Sequence, residues 1–342
     1  MSLISYRKML LPVILPITMA GCLLLLSTCK KHSEEENTLK AYSNMNDDST
    51  RAIHVSIPRI ESAKTKSATI TIFLSVTDQN GNPFTDFNQY NFNVRQVCDG
   101  TIDTTLIASI TFTRADAEGY DVASAMTMDF SGSMAGLATK NMQKAAKEFV
   151  RLKNEQDVCE IIKFDDQIEV TQQFTSDTLS LMTAIDQKYG GGLTAFYDAT
   201  YAATTDASAY LELHSQMFPV IITFTDGQDN MSKIADLLSC IALANNKQIP
   251  VYTIGYRNSV DSVSLKTLSD QTGGVYYFTP DSETLSKFYS QISRQLKNEY
   301  MLSWVYDNPA CQKVWVFVTA TYTCATGTYT AKAEKYFFPV KK

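Results

Sequence analysis

Asp129, Ser131 and Ser133 stand at alternate positions in Met128-Asp129-Phe130-Ser131-Gly132-Ser133-Met134, directly after the apolar run 122–128. That spacing sets a carboxylate and two hydroxyls on one turn at the carboxyl end of a strand, where open α/β sheets bind ligands. Two more loops belong beside it. Gly190-Gly191-Gly192-Leu193-Thr194-Ala195 precedes a helix and contributes Thr194; Phe224-Thr225-Asp226-Gly227 ends the most apolar strand with Asp226. Together the loops supply three hydroxyls and two carboxylates. A donor set made only of oxygen, without Cys or His, suits Mg²⁺, Ca²⁺ or Mn²⁺ better than zinc. Mg²⁺ fits best, because it keeps several of its waters and needs only a partial protein shell. The side chains sit at strand ends and are expected to face solvent rather than the core.

Other chemistries fit worse. An aspartyl-phosphate phosphatase needs a second acid where Ser131 stands. A Ca²⁺ loop of the EF-hand type starting at Asp129 needs Glu where Lys140 stands. Ser133 lacks the glycine of a hydrolase elbow, and there is neither a P-loop nor a GxGxxG. Asp78-Gln79-Asn80-Gly81-Asn82 reads as a hairpin turn. The three histidines, His32, His54 and His214, leave little for a catalytic triad. With 36 acidic against 30 basic residues and a net charge of −6, the chain lacks the basic excess of a nucleic-acid binder.

The elements around these loops alternate. From about 120 to 298, strands 122–128, 157–164, 168–174, 218–225, 251–256 and 274–278 are interleaved with helical patterns at 139–153, 234–246, 265–269 and 284–296. Apolar residues at 142, 145, 146, 149 and 152 form one helical stripe. The continuous apolar run at 218–225 suits a strand buried on both faces. Such alternation predicts a doubly wound, mostly parallel α/β sheet.

Both flanks read as β. Before it, 67–78 alternates Ile70, Ile72, Leu74 and Val76, and 92–97 and 106–112 are strand-like; after it come 300–306, 314–323 and 328–338. Neither group is enough for a domain. The expectation is one β-sandwich-like domain, made of 51–118 and 299–342, with an α/β domain of 119–298 inserted. Cys159 and Cys240 lie in apolar stripes and read as small buried hydrophobes. Cys98, Cys311 and Cys324 lie in the flanks, where a disulfide is allowed, with its pairing open. No CxxC spacing points to thiolate zinc.

The constellation DFSGSM, LTAFYDA and TDG resembles the von Willebrand factor type A (VWA) family with its metal-ion-dependent adhesion site (MIDAS). All three motifs occur in order over about 120–298. The resemblance implies that Ser131, Ser133 and Thr194 bind the ion directly or through water. It implies that Asp129 and Asp226 act mainly through water and by orienting the hydroxyls. Neutral direct ligands leave the ion under-neutralised and open to an Asp or Glu of a protein partner, as in adhesive VWA proteins.

The first residues look like an address. Arg7 and Lys8 precede a stretch, 9–28, without charge, then Cys29-Lys30-Lys31. This resembles a bacterial lipoprotein signal of 1–28 with Cys29 lipidated. Met19-Ala20-Gly21-Cys22 also matches, so Cys22 is the alternative, and an uncleaved signal anchor is another. Glu34–Glu36 resembles a surface-export signal of some Gram-negative lipoproteins. Residues 29–50 read as a flexible polar tether. The expected protein is therefore a non-catalytic, Mg²⁺-dependent binding or adhesion protein, held by lipid in a Gram-negative outer membrane. An assembly factor whose metal stabilises the fold is the alternative. A metal-dependent hydrolase is less favoured, for want of a general base beside the motif.

Overall fold

The computed structural model describes residues 53–62, 68–99, 105–115, 120–280, 284–308, 310–325 and 327–339. All of these lie in one compact unit, Arg51–Lys342. Cys22, Cys29, the signal 1–28 and the tether 29–50 lie outside the described residues. The chain runs β1 (Ile53–Ser62), β2 (Ala68–Asp78), β3 (Phe92–Cys98), β4 (Thr105–Leu106), β5 (Thr111–Arg114), β6 (Asp121–Asp129), α1 (Leu137–Leu152), β7 (Val158–Phe164) and β8 (Ile168–Thr175). It continues with α2 (Thr178–Asp186), α3 (Phe196–Leu213), β9 (Met217–Thr225), α4 (Leu237–Lys247), β10 (Val251–Tyr256), α5 (Ser262–Thr272), β11 (Tyr276–Thr279) and α6 (Leu285–Leu296). It closes with β12 (Tyr300–Tyr306), β13 (Val314–Cys324) and β14 (Gly327–Phe337).

Six strands form the central sheet in the order β11-β10-β9-β6-β7-β8. All pairs are parallel except β7–β8, a hairpin. This is the α/β class that the alternation predicts. Every residue of β9 is buried, as its apolar run requires of a central strand with helices on both faces. On one face Met126, Met128, Phe224 and Ile254 pack with Met142 and Phe149 of α1 and Tyr289 and Ile292 of α6. On the other, Ala125, Ile162, Ile221 and Val251 pack with Phe196 and Ala203 of α3, Cys240 of α4 and Leu268 of α5. Cys159 and Cys240 are free, buried thiols. β6 leads to β7 on one side and lies against β9 on the other, so the strand order reverses between β6 and β9.

Two local expectations fail for identifiable reasons. The helix expected from Ile234 begins at Leu237. The carboxylate of Asp198 takes the backbone N–H groups of Lys233, Ile234 and Ala235, and Asp236 caps the first turn through Ser239. The strand expected at 106–112 is two strands, β4 beside β3 and β5 beside β12, because the chain crosses here between sheets. Helix α2, capped by Asp177, was not expected.

Strands from both ends of the chain share two further sheets, β1-β2-β12-β5 and β14-β13-β3-β4. Ile70, Ile72, Leu74 and Val76 of β2, with Leu302 and Trp304 of β12, pack against Val94, Val314, Val316 and Val318. A disulfide, Cys98–Cys311, joins the end of β3 to the β12–β13 connection. The opposite side of β2 meets the α/β layer: Phe73 packs edge-on against Tyr120 and Phe218, and the Arg59 guanidinium covers all three rings. Nearby, Lys335 donates to the carbonyls of Pro58 and Thr272 at 2.6 and 2.8 Å. The chain leaves for the α/β layer from β5 and returns on β12. These strands are antiparallel neighbours, with Arg114 opposite Tyr300 and the Ala115 N–H on the Glu299 carbonyl. Among the described residues no helix is long and apolar enough to cross a membrane.

Candidate metal centre

The reversal between β6 and β9 opens a crevice at the carboxyl ends of the strands, the place where open α/β sheets take ligands. Met128 of β6 is opposite Phe224 of β9, so Asp129 and the Thr225–Asp226 pair emerge side by side. Ser131 and Ser133 follow on the turn after β6, and Thr194 sits on the loop that enters α3.

These residues are brought together. Ser133 Oγ donates to Asp226 Oδ1 at 2.6 Å, and the hydroxyls of Ser131 and Ser133 are 3.2 Å apart. Asp129 Oδ1 accepts the Ser131 N–H at 2.8 Å, and Oδ2 accepts the Thr225 hydroxyl at 2.6 Å. Thr194 borders Gly227: a β-carbon added at that glycine would lie 3.4 Å from Thr194 Oγ1. The expectation that all five face solvent fails. Asp129, Ser131, Thr194 and Asp226 are buried, and only Ser133 is exposed. The loops fold over the strand ends and enclose the carboxylates that they position.

The supporting loops account for the glycines. Gly192 N–H donates to Asp165 Oδ2, and its carbonyl accepts the Gly132 N–H, which stitches the second loop to the first. A β-carbon at Gly190 would come 2.6 Å from Asp165 Oδ2, and one at Gly192 would overlap the Asp166 carboxylate. These glycines leave room for the acidic side chains of Asp165 and Asp166. Asn230 fixes Thr194 from the other side, through Oδ1 on the Thr194 N–H and its own N–H on the Thr194 carbonyl.

Sequence reasoning missed Thr225 and Arg257. Thr225 lies within the third motif and could have been read from it. Arg257 could not. It follows β10, far along the chain, yet Nη1 donates to Asp226 Oδ2 at 2.8 Å and to the Ser133 carbonyl at 2.7 Å.

Electrostatically the centre holds more negative charge than it offsets. Burial pushes the Asp129 carboxyl up to about 6; the nearby Asp226 charge adds to this, and hydrogen bonds from Ser131 and Thr225 oppose it. The donors are hard oxygens from three hydroxyls and two mostly enclosed carboxylates, with one guanidinium as counter-charge. That set fits a divalent cation held partly by the protein and partly by water. Among the described residues no group of three or more His, Cys, Asp or Glu side chains is placed to hold a metal, at this crevice or elsewhere, so the candidate centre depends on its hydroxyls.

Residues 125–291 match the family described as von Willebrand factor type A domain. No curated protein matches the chain. Among solved structures, "von Willebrand factor type A from Catenulispora acidiphila" is 12% identical, with a TM-score of 0.48, over 86% of this chain and 76% of that one. The vWF domain of the type V pili tip protein Mfa5 from Porphyromonas gingivalis is 12% identical, with a TM-score of 0.42, over 52% and 95%. Proximal thread matrix protein 1 from the mussel byssus, "with zinc occupied MIDAS motif", is 17% identical, with a TM-score of 0.46, over 57% and 49%. Likeness at this level carries over neither ligand nor partner.

Proposed function

We propose that this chain, whose α/β layer is a von Willebrand factor type A domain, is a non-catalytic binding protein. It holds a divalent cation, most simply Mg²⁺, through Ser131, Ser133 and Thr194, with Asp129 and Asp226 positioning them. Such an ion, when bound, supplies a Lewis-acidic point to which an Asp or Glu of a protein partner can attach. The protein's own groups do the preparation. Asp226 orients the Ser133 hydroxyl. Asp129 fixes the first turn through the Ser131 N–H and is itself held by Thr225. Asn230 and Gly192 keep the second loop beside the first.

The observation that supports this reading is the convergence of the five side chains from three loops on one crevice at the β6–β9 reversal. The all-oxygen donors favour Mg²⁺, with Ca²⁺ or Mn²⁺ as alternatives. Both carboxylates of the arrangement are engaged by hydroxyl, N–H or guanidinium donors, which favours a positioning role over proton transfer. We further propose that the chain is lipid-anchored at Cys29, or at Cys22, in the outer membrane of a Gram-negative cell. That rests on the lipoprotein-like leader in its sequence.

A second reading has an observation of its own. Four of the five residues are buried and bonded to one another or to their loops, so an ion there would also brace the fold. In that case the domain serves assembly of an envelope complex. Crosslinked pull-down from envelope fractions, with and without EDTA, separates the two, beside melting of the same samples. Partner loss with an unchanged melt supports metal-bridged binding. A melt that falls sharply in EDTA supports the bracing role. Calorimetric titration with Mg²⁺ should show losses of roughly 10–100-fold in Asp129→Ala, Ser131→Ala, Ser133→Ala, Thr194→Ala and Asp226→Ala. Wild-type affinity in all five would sink the site.

A further inference from the structure

Arg257 occupies the centre with a charge of its own. Both carboxylate oxygens of Asp226 are engaged, Oδ1 by the Ser133 hydroxyl and Oδ2 by the guanidinium, whose Nη1 also reaches the Ser133 carbonyl. One cation thus bridges two of the five residues that would hold a metal. The backbone is shaped for this. Arg257 has φ of 65°, a left-handed conformation costly for a residue with a β-carbon, and Gln248 is the only other non-glycine like it among the described residues. Its N–H is held by the Thr279 carbonyl, and its carbonyl accepts from Val260. Its guanidinium lies 4.8 Å from the Tyr256 ring centre. The Asp226 side chain is fully enclosed while that of Arg257 is 39% exposed, so the guanidinium reaches in from the solvent side and has a way out.

We propose that Arg257 is a tethered competitor of the divalent cation: it neutralises Asp226 when no ion is bound and must leave Asp226 for the ion to be held. The inference rests on the metal reading above and sets the affinity of that site. Physically, a guanidinium and a divalent ion repel each other, and Asp226, which orients the Ser133 hydroxyl toward the ion, is the carboxylate that the guanidinium neutralises. Once displaced, the side chain keeps its charge and can stay over Tyr256 or turn to solvent. The chain would then bind metal more weakly than its oxygen donors allow, and binding would be coupled to movement of a side chain at the rim.

The test is calorimetric titration of the full chain with Mg²⁺ for wild type, Arg257→Gln and Arg257→Gly. The glycine variant removes the guanidinium and also the unfavourable φ, so it guards against a folding failure. Competition predicts about tenfold or greater tightening in both variants, within the usual range of coupling between linked sites. It also predicts that the gap between melting temperatures in EDTA and in saturating Mg²⁺ widens in both, because bound ion stabilises in proportion to its affinity. Unchanged or weaker Mg²⁺ binding in the variants, with wild type binding normally, overturns the competition and leaves the site reading intact. If neither wild type nor the variants bind Mg²⁺, Ca²⁺ or Mn²⁺, the site reading falls and takes the competition with it.

Discussion

Thr225 stands one residue from Asp226 and has no oxygen in the expected donor set, yet its hydroxyl holds a buried carboxylate. Thr225→Val keeps the shape and removes the donor to Asp129. The buried carboxylate then loses one of its few partners, at about 1.5–3 kcal/mol for a bond to a charged group. Urea denaturation in EDTA should show that loss, and Mg²⁺ affinity should fall too. Glu160, in the middle of β7, gives an independent residue-scale test. Burial raises its carboxyl to about 8, Asp206 adding to the shift, and Oε2 has no hydrogen-bond partner. The folded value exceeds the ordinary 4.5, so the folded state keeps a proton that the unfolded chain releases. Stability therefore falls as pH rises from 4.5 to about 8, and the cost is complete above that. Glu160→Gln should match wild type near the acid end of this window and exceed it by about 2 kcal/mol or more above the window, read from melts across pH. At this scale the five candidate positions were legible because their types and order are local. Their burial was not, since it comes from loops closing over one another. Arg257 was invisible because nothing near it in sequence marks it.

The elements were legible where one periodicity dominates. β9 reads as a central strand from its apolar run alone, and α1 reads as a helix from one stripe. Boundaries moved where a distant side chain intervenes. Asp198 on α3 decides where α4 begins, and no local pattern around Ile234 reveals that. The short turn from α5 to β11 was equally opaque. Gly274 there lies so close to β10 that an added β-carbon would overlap the Val251 carbonyl and approach Tyr252 N to 3.0 Å. Gly274→Ala must therefore push backbone apart, at about 1–3 kcal/mol or more. Gly191→Ala is the control: its β-carbon would meet nothing within 4 Å. Thermal melts of the two should differ clearly, with Gly191→Ala near wild type.

At the scale of the molecule, two flanks far apart in sequence share both antiparallel sheets. β2 lies between β1 and β12, and β13 between β3 and β14. A fragment of 51–118 keeps β1–β2 and β3–β4 but loses their neighbours, so it should fail to melt cooperatively. Addition of 299–342 in trans should restore some order, seen by circular dichroism. Fold class was legible from the alternation; the partnership of Cys98 with Cys311 was not, because three flank cysteines were equally eligible. This bridge closes a loop across 213 residues that contains the whole α/β layer. Cys98→Ser with Cys311→Ser should cost about 2–5 kcal/mol, and Mg²⁺ titration should be unaffected, since the bridge lies between the antiparallel sheets and the candidate metal centre in the other layer.

The neighbouring exits of β5 and β12 have a mechanical consequence. A tug on a partner bound at the β6–β9 crevice, as proposed, would reach the sandwich along the chain through two strands that leave it side by side. The load is divided between them. β12 is an inner strand, hydrogen-bonded on both sides to β2 and β5, so a pull along its length must shear two ladders at once instead of peeling one. Tension applied between β1 and β14, by contrast, can run through the sandwich and its disulfide without stretching the crevice. A partner bound at the crevice, as proposed, would thus load β5 and β12, while tension across their support would pass the inserted layer by.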